Sequence, residues 1–229
     1  MFRFFLFVAI ALTACTNYLK DPQEIIDKTI KAAGGDRYLN SIIEFDVHSK
    51  HYIIKRQGDV FSIEQIFKDS LGTIRDVVSN KGHVREINGM MEVLSDSLSA
   101  THTASINSII NFALLPFGWN DPGVGKTYLG DTMIENEIFY KVEITRTNGS
   151  KDLLEVFRYW INRKDFSIGY LAYVSIDNND IGIFFCKAIN RRKINGIQFY
   201  DYLIYKSKDS TMKMEELELL FSKGEMEEL

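Results

Sequence analysis

The spacing of apolar residues changes near the middle of the chain, and this change marks the central element of the predicted fold. Between Thr103 and Trp119, apolar residues recur at the three- and four-residue intervals of an amphipathic helix. This stripe consists of Ile106, Ile109, Ile110, Ala113 and Leu114. Pro116 and Gly118 follow directly and are expected to end the helix. Because strand-like segments lie on both sides, the helix is predicted to pack on a sheet that wraps around it.

A second helix is predicted near the start of the mature chain. Asp21 suits the N-cap, Pro22 the first helical position, and Glu24 the third, where it completes a capping-box-like pair. An apolar stripe follows, made of Ile25, Ile26, Ile30 and Ala33. Gly34 and Gly35 readily adopt positive φ, so the helix is predicted to end there.

Most of the remaining chain has the alternation and the turn residues of β-strands. The predicted strands are 42–55, 59–68, 72–79, 82–88 and 90–94 before the central helix, and 126–134, 137–147, 153–162, 168–176, 181–194 and 197–207 after it. Short turns separate them, and Asn88-Gly89 is the clearest hairpin signal. Hairpins make neighbouring strands antiparallel, which predicts an α+β fold with an antiparallel sheet. The tail from Thr211 fits either a last strand or a helix.

Several of the later strands are apolar on both faces. The segment 153–162 alternates two apolar sets, Leu154, Val156 and Trp160 with Phe157, Tyr159 and Ile161. A sheet with one wet face would alternate apolar and polar residues more cleanly. We therefore expect both faces of this part of the sheet to be covered, one of them by the helices.

The first 14 residues have the features of a lipoprotein signal peptide. Arg3 precedes an apolar run from Phe4 to Leu12, which is shorter than the roughly 20 residues that a membrane-spanning helix needs. The end of the segment, Leu12-Thr13-Ala14-Cys15, resembles the bacterial lipobox. That resemblance implies cleavage before Cys15 and acylation of this residue, and several acyl chains give stable membrane anchoring. An ordinary cleaved signal peptide is the alternative.

The predicted organisation is a signal peptide at 1–14, a tether at 15–21 and a single β-rich domain at 22–229. Residue 16 is a threonine and not the aspartate that would resemble an inner-membrane retention signal, and no acidic cluster follows Cys15. The leader therefore implies an outer-membrane lipoprotein that faces the periplasm. The membrane, through the acyl anchor, is one predicted partner, and the sequence points to no particular protein partner.

The charge balance argues against a nucleic-acid partner. The formal net charge is −4, and removal of Arg3 with the leader makes it −5, whereas nucleic-acid binding needs a basic face. The segment 123–127, Gly-Val-Gly-Lys-Thr, is similar to the end of a P-loop, but the first glycine of that motif is replaced by Asn120. A turn into a strand is predicted there instead.

No set of residues forms a recognisable catalytic or metal site. His48 and His51 are three residues apart, so on a strand they would face opposite sides, and His83 and His102 stand alone in the sequence. Cys186 lies in an apolar segment, which favours a buried structural thiol over a nucleophile. The chain is therefore predicted not to be an enzyme and to hold no metal or other cofactor.

Four short motifs resemble a family of Bacteroidota lipoproteins of unknown function. They are Tyr159-Trp160-Ile161, Tyr170-Leu171-Ala172-Tyr173, Asn195-Gly196-Ile197 and Asp201-Tyr202. The resemblance covers roughly residues 20–225, and the architecture is similar to that of the lipoprotein carriers LolA and LolB. It implies a curved antiparallel half-barrel of about ten strands that helices close over an apolar cavity. It brings no catalytic residue.

The helix stripe and two aromatic residues after it are the predicted ligand-binding residues: Ile106, Ile109, Ile110, Ala113, Leu114, Phe117 and Trp119. Phe117 and Trp119 flank a break in the helix where a lid would hinge, and large apolar side chains suit the wall of an apolar cavity. The predicted function is non-enzymatic binding of a lipid or other apolar ligand. The alternative is a structural or interaction lipoprotein of the cell envelope with a filled core and no ligand.

Four sites resemble the sequon for periplasmic O-glycosylation in Bacteroidota. They are Asp69-Ser70-Leu71, Asp96-Ser97-Leu98, Asp131-Thr132-Met133 and Asp209-Ser210-Thr211. Because Asp-Ser is also common in turns, glycosylation and plain turn chemistry both stay open.

Overall fold

The computed structural model describes residues 20–147, 154–177, 180–207 and 213–229. In these ranges the helices are α1 (Pro22–Ala33), α2 (Asp96–Ala113) and α3 (Leu217–Ser222), with a 3-10 helix at Gly35–Leu39. The strands are β1 (Asn40–Val47), β2 (Lys50–Gln57), β3 (Val60–Asp69), β4 (Gly72–Ser79), β5 (Gly82–Ile87), β6 (Met90–Glu92), β7 (Gly125–Ile134), β8 (Glu137–Thr147), β9 (Leu154–Asn162), β10 (Ile168–Asp177), β11 (Asp180–Ile194), β12 (Ile197–Ser207) and β13 (Met226–Glu228). The predicted signal peptide, Cys15, most of the tether and the fourth sequon lie outside the described residues.

The strands form two antiparallel sheets, and each sheet follows the order of the chain. The first sheet has the order β1-β2-β3-β4-β5-β6, and the second has the order β13-β12-β11-β10-β9-β8-β7. Neither sheet closes on itself. The predicted α+β class with antiparallel strands is confirmed. The strands divide into two sheets because α2 and the segment after it separate β6 from β7.

The first helix forms as its sequence predicts. The Asp21 side chain accepts a hydrogen bond from the Gln23 backbone N at 2.9 Å, and Pro22 occupies the first turn. Gly34 ends the helix with φ 147°, a conformation that side chains with a Cβ rarely adopt. A Cβ on Gly34 would also lie 3.2 Å from the Ile197 Cα, so the glycine lets α1 end close against β12.

Two boundaries differ from the sequence-based prediction. The segment 42–55 is two strands, β1 and β2, joined by a turn in which His48 and Ser49 have φ 49° and 61°. Neither residue is a glycine or an asparagine, so the sequence carries no strong turn signal there. In addition, α2 begins at Asp96 rather than near Thr103, because the Ser95 side chain caps it by accepting a hydrogen bond from the Leu98 N at 3.3 Å.

The first sheet has one apolar and one polar face. Its inner face, which we define as the face toward α2, packs against Ile106 and Ile110 of that helix. Its outer face carries an ion-pair network in which Arg75 donates to Glu64 at 2.8 Å and to Glu86 at 3.1 Å. This is the pattern of a sheet that is wet on one side.

The second sheet is covered on both faces, as the apolar runs of its strands lead us to expect. On the inner face, α1 and the segment 114–119 pack in one cluster with Val142 and Leu171. On the outer face, Leu217 of α3 packs against Trp160 and Phe185. The tail therefore contains both a helix, α3, and a strand, β13. No helix in the described part of the chain combines the length and the apolarity that a membrane span requires.

Candidate functional site

The segment from Leu114 to Trp119 joins the two sheets. Leu114 and Phe117 pack in the apolar cluster of the first sheet, whereas Leu115 and Trp119 pack in the cluster of the second. Gly118 has φ 83°, a left-handed conformation that favours glycine, and it reverses the chain between the two aromatic residues. The segment therefore fixes the C-terminal end of α2 between the two inner faces.

Three of the predicted ligand-binding residues fill the interface between α2 and the first sheet. Ile106, Ile110 and Leu114 are only 1%, 6% and 3% exposed. They are four residues apart and so form one row along the helix. Ile109 and Ala113 lie beside this row, on the flank nearer to Phe112, and both keep part of their surface exposed.

Phe117 and Trp119 are predicted to lie at the mouth of one cavity. In the structure they pack against different sheets. The Phe117 ring stacks on Tyr38 with 5.4 Å between centroids, and the Arg56 guanidinium lies 4.7 Å from its centroid. Trp119 is fully buried, and its ring centroid is 4.4 Å from that of Tyr159. Contact of either residue with a ligand stays a prediction.

Phe112 points away from the buried row of α2 and toward the second sheet. Its ring centroid lies 4.7 Å from that of Tyr202 and 6.3 Å from that of Tyr173, and Tyr173 lies 6.4 Å from Phe157. These rings and Ile204 pack on the inner face of the second sheet, yet each keeps part of its surface exposed. We call this surface the aromatic cleft; it consists of Phe112, Phe157, Tyr173, Tyr202 and Ile204.

The aromatic cleft reaches deep into the protein. Burial raises the pKa of the Tyr202 hydroxyl well above its ordinary value, and it raises the pKa of Tyr173 to about 12. Both residues nevertheless retain accessible surface. Both residues are therefore largely surrounded by protein, but the inner face of the second sheet is not completely covered at this position.

A buried polar atom lies next to the aromatic cleft. The Trp119 Nε1 is buried and makes no hydrogen bond of good geometry in the described part of the protein, although its approach to the Tyr159 hydroxyl lowers the pKa of that tyrosine, which burial raises. The adjoining Tyr159 ring lies 6.3 Å from Phe157, which connects this corner to the cleft.

A polar cluster lies beneath the N-terminal half of α2. Asp76 is fully buried, accepts hydrogen bonds from the Arg85 Nε and Nη2 at 2.8 Å, and lies 2.9 Å from the His83 Nε2. The His83 Nδ1 lies 3.2 Å from the Ser99 Oγ, and the ring centroids of His83 and His102 are 6.0 Å apart. The sequence-based view of these histidines as isolated is wrong, because the β4–β5 hairpin and α2 bring them together. Since Arg85 holds both carboxylate oxygens, the cluster satisfies buried polar groups and does not activate Ser99.

A cavity of about 220 Å³ opens on the outer face of the second sheet, away from the aromatic cleft. Glu135 in its wall accepts hydrogen bonds from the Lys187 Nζ at 2.7 Å and from the Tyr170 hydroxyl at 2.9 Å. Arg191 on the same wall donates to Asp165 at 2.5 Å. These polar groups pair with one another, so the cavity does not offer the apolar surface that the predicted ligand needs.

The remaining candidate residues give no reactive centre. Cys186 is fully buried, and burial raises the pKa of its thiol to about 12, which keeps it protonated and unreactive. No three His, Cys, Asp or Glu side chains come together as a metal-binding group in the ranges that the structure covers. At the sequons, Ser70 and Ser97 are exposed, whereas the Thr132 hydroxyl donates to Glu218 at 2.9 Å. Glycosylation of these residues stays a prediction.

The sequence model of one family, described as a family of unknown function (DUF6503), matches residues 1–228. The chain belongs to the DUF6503 family. A comparison with curated proteins finds no match.

Solved structures similar to this DUF6503 chain include a LolA superfamily protein, a DUF1329 family protein and a lipoprotein. A LolA superfamily protein from Nitrosomonas europaea is 13% identical, with 84% of this chain and 87% of that chain covered and a TM-score of 0.47. A DUF1329 family protein from Desulfovibrio piger is 11% identical, covers 81% and 87%, and has a TM-score of 0.47. The Mycobacterium tuberculosis lipoprotein LppX is 8% identical, covers 67% and 88%, and has a TM-score of 0.31. These TM-scores are too low to carry an argument, so the fold is assigned from the strand order described above.

Sequence reasoning on this DUF6503 chain identified the central helix but not the wall of the cleft. The cleft rings on β9, β10 and β12 come together through strand pairing, in which Tyr173 lies opposite Phe157 and Ala188 lies opposite Tyr202. Each ring belongs to a strand that is apolar on both faces, so the sequence alone does not indicate which face is the inner one. The Asn195-Gly196 turn sets only the first pairs of β11 with β12, because the register shifts between Ile189 and Arg192 before Tyr202 is reached.

Proposed function

We propose that this DUF6503 protein is a membrane-anchored envelope lipoprotein that binds a lipid or other apolar ligand in the aromatic cleft and catalyses no reaction. The supporting observation is the position of Tyr202, which lies deep in the protein, stacks near Phe112 and still keeps accessible surface. An acyl chain would fill this space and complete the cover of the second sheet.

The energetic argument concerns the apolar surface that α2 leaves uncovered. Fully burying a large apolar side chain that would otherwise be wet gains about 1.5–3 kcal/mol. The five side chains of the aromatic cleft pack on one apolar cluster, and each of them is only partly buried. A clustered, partly wet apolar surface is typical of a binding site rather than of an ordinary monomer surface.

The proposed ligand-binding residues combine this surface with part of the sequence-based set. Ala113 on the flank of α2 and Trp119 after it would contribute to the cleft, whereas Ile109 and Phe117 pack with the apolar cluster of the first sheet. Ile106, Ile110 and Leu114 would act indirectly, because they hold α2 on the first sheet. The single-domain arrangement of 22–229 and a tether at 15–21 would keep the cleft near the membrane to which acylated Cys15 is anchored, at the periplasmic side of the outer membrane.

Binding of a fluorescent acyl-chain probe, 11-(dansylamino)undecanoic acid, tests the proposal. We expect the full-length protein to bind the probe and Phe112→Ser to weaken binding by at least about tenfold, because one ring contact is lost from the cleft. The matched control is Phe67→Ser, which removes a partly exposed ring on the first sheet that packs under Lys50, 4.6 Å from the ring centroid. The control should bind as the wild type does.

The alternative function makes the opposite prediction in the same titration. A structural or interaction lipoprotein with a filled core would bind no probe. The closely packed row of Ile106, Ile110 and Leu114 is the observation that favours this alternative. Absence of probe binding by the wild type, together with native mass spectra that show no co-purified apolar molecule, would leave the alternative as the better description.

A further inference from the structure

Two arginines reach the segment between the sheets from opposite sides. Arg56 on β2 places its guanidinium carbon 4.7 Å from the ring centroid of Phe117 and 5.2 Å from that of Phe61. Arg146 on β8 approaches the next residue, Gly118, where its Nη2 would lie 3.5 Å from a Cβ. The two cations therefore contact consecutive residues of the segment that joins the first and the second sheet.

Neither arginine has an ion-pair partner among the described residues. Six other arginines in the described ranges, Arg75, Arg85, Arg158, Arg163, Arg191 and Arg192, each lie within hydrogen-bond distance of a carboxylate. Arg56 and Arg146 have no carboxylate oxygen of a described residue within the 4.0 Å of an ion pair. Burial lowers the pKa of the Arg56 guanidinium, and the rings of Phe117 and Phe61, rather than a carboxylate, contact this partly buried cation.

Arg146 also borders the aromatic cleft. Its charge lowers the pKa of Tyr159, which burial raises. The Tyr159 ring in turn lies 6.3 Å from Phe157 of the cleft. A ligand with its apolar part in the cleft would therefore end near Arg146.

One carboxylate lies close to both cations without pairing. The Asp121 Oδ2 would lie 3.1 Å from a Cβ on Gly118, on the same glycine that Arg146 approaches. Asp121 and Asp59 also raise the pKa of Arg56 at a distance. Arg146 and Asp121 therefore approach the same point beside Gly118, and an anionic group that binds Arg146 would have to displace Asp121.

We propose that Arg56 and Arg146 bind the anionic head group, a carboxylate or a phosphate, of the ligand whose apolar part lies in the aromatic cleft. This inference rests on the proposed function. Guanidinium groups suit both anions, because their planar array of donors matches the geometry of carboxylate and phosphate oxygens. Asp121 lies near the two cations when no ligand is bound, and its negative charge weakens the binding of the head group.

The test compares three probes that share one dansyl-labelled undecyl chain and differ in the end group: carboxylate, methyl ester and phosphate monoester. We expect the full-length protein to bind the carboxylate or the phosphate probe about tenfold more tightly than the ester, as expected for one charge-assisted contact. Arg56→Gln and Arg146→Gln should each remove most of this preference and leave ester binding unchanged. Arg192→Gln, which removes an exposed arginine paired with Asp201, should change neither.

Asp121→Asn provides a variant that does not touch the apolar core, because Asp121 is exposed. It should strengthen binding of the charged probes a few-fold and leave ester binding unchanged. Equal affinity of the wild type for all three probes, or unchanged preference in both arginine variants, would overturn the head-group site and leave the apolar site standing. Failure of all three probes to bind would overturn the proposed function and this inference with it. The carboxylate and phosphate probes separate a fatty acid-like ligand from a phospholipid-like one.

Discussion

The two sheets differ in how completely their inner faces are filled. In the first sheet, Ile106 and Ile110 of α2 close the inner face, and the buried polar groups there are paired, Asp76 with Arg85 and His83 and Gln65 with the Tyr52 hydroxyl. In the second sheet, α1 and Trp119 cover one part of the inner face, while Tyr173 and Tyr202 remain accessible. One helix thus presents a closed interface to one sheet and an open one to the other.

One side of α2 therefore contributes to stability, and another side is available for binding. A row of aliphatic residues four apart fits tightly against a curved sheet and leaves no room for a ligand. Phe112, on the flank beside this row, faces a sheet that is already held from its outer side by α3, whereas Ile109 still packs with the first sheet. The second sheet therefore keeps its shape without complete cover on the inner face, which allows an open apolar surface to persist.

Replacement of Ile110 by aspartate tests the closed interface and has the largest expected effect. Ile110→Asp places an unpaired charge in an apolar contact, and we expect a loss of about 4 kcal/mol or more in the free energy of unfolding, measured by guanidinium denaturation. Ile42→Asp on the same sheet is the control, because Ile42 is 68% exposed and the change should cost less than about 0.5 kcal/mol. Similar small effects of both variants would show that the interface with α2 is not closed.

The sequence predicts the elements well where the signal is local. Asp21 and Pro22 mark the start of α1, and both residues of the Asn88-Gly89 turn have positive φ, as a two-residue hairpin requires. The turn at His48 and Ser49 carries no such residues, so the sequence does not predict it. Its left-handed backbone is stabilised by pairing of β1 with β2, which is a tertiary effect.

The candidate site depends on long-range contacts, so the sequence predicts only part of it. The apolar stripe of α2 is visible as a periodicity, but its division into a closed row and an open flank depends on which sheet each side meets. Likewise, nothing local links His83 to His102, or Arg56 to Arg146. These pairs form because two successive meanders place their inner faces on either side of one helix.

Replacement of Asp76 by a neutral residue tests the closed interface between α2 and the first sheet at the end where the polar cluster lies. Burial alone would raise the pKa of this carboxyl, but hydrogen bonds from Arg85 and His83 outweigh burial and hold the pKa below its ordinary value. The folded state therefore binds the proton less readily than the unfolded state, whose pKa is about 3.9. The stabilisation is present above the unfolded pKa and is lost as the pH falls through the folded pKa.

We expect Asp76→Asn to lower the free energy of unfolding at pH 7 by about 3 kcal/mol, because Arg85 loses its buried partner. The variant should also lose part of the fall in stability that the wild type shows below about pH 4. Asp201→Asn is the control, since Asp201 pairs with Arg192 at 2.8 Å on an exposed part of the second sheet and should contribute less than about 1 kcal/mol. Equal costs of the two variants would contradict the assignment of Asp76 to a closed, water-poor interface.

Enlargement of Ala113 tests the open flank and has the smallest expected effect on stability. Ala113 is partly exposed beside Phe112, so a leucine there would extend into the aromatic cleft rather than into packed side chains. We expect Ala113→Leu to leave the melting temperature unchanged or slightly higher, and to weaken binding of the dansyl-undecanoate probe because the new side chain occupies part of its space. The matched control is Ala33→Leu, where Ala33 is 3% exposed in the core at the end of α1 and overpacking should cost about 1–3 kcal/mol. A fall in melting temperature for Ala113→Leu as large as that of the control would mean that the flank of α2 is as closed as its buried row, and the difference between the two sheets would then give no reason to place a ligand between them.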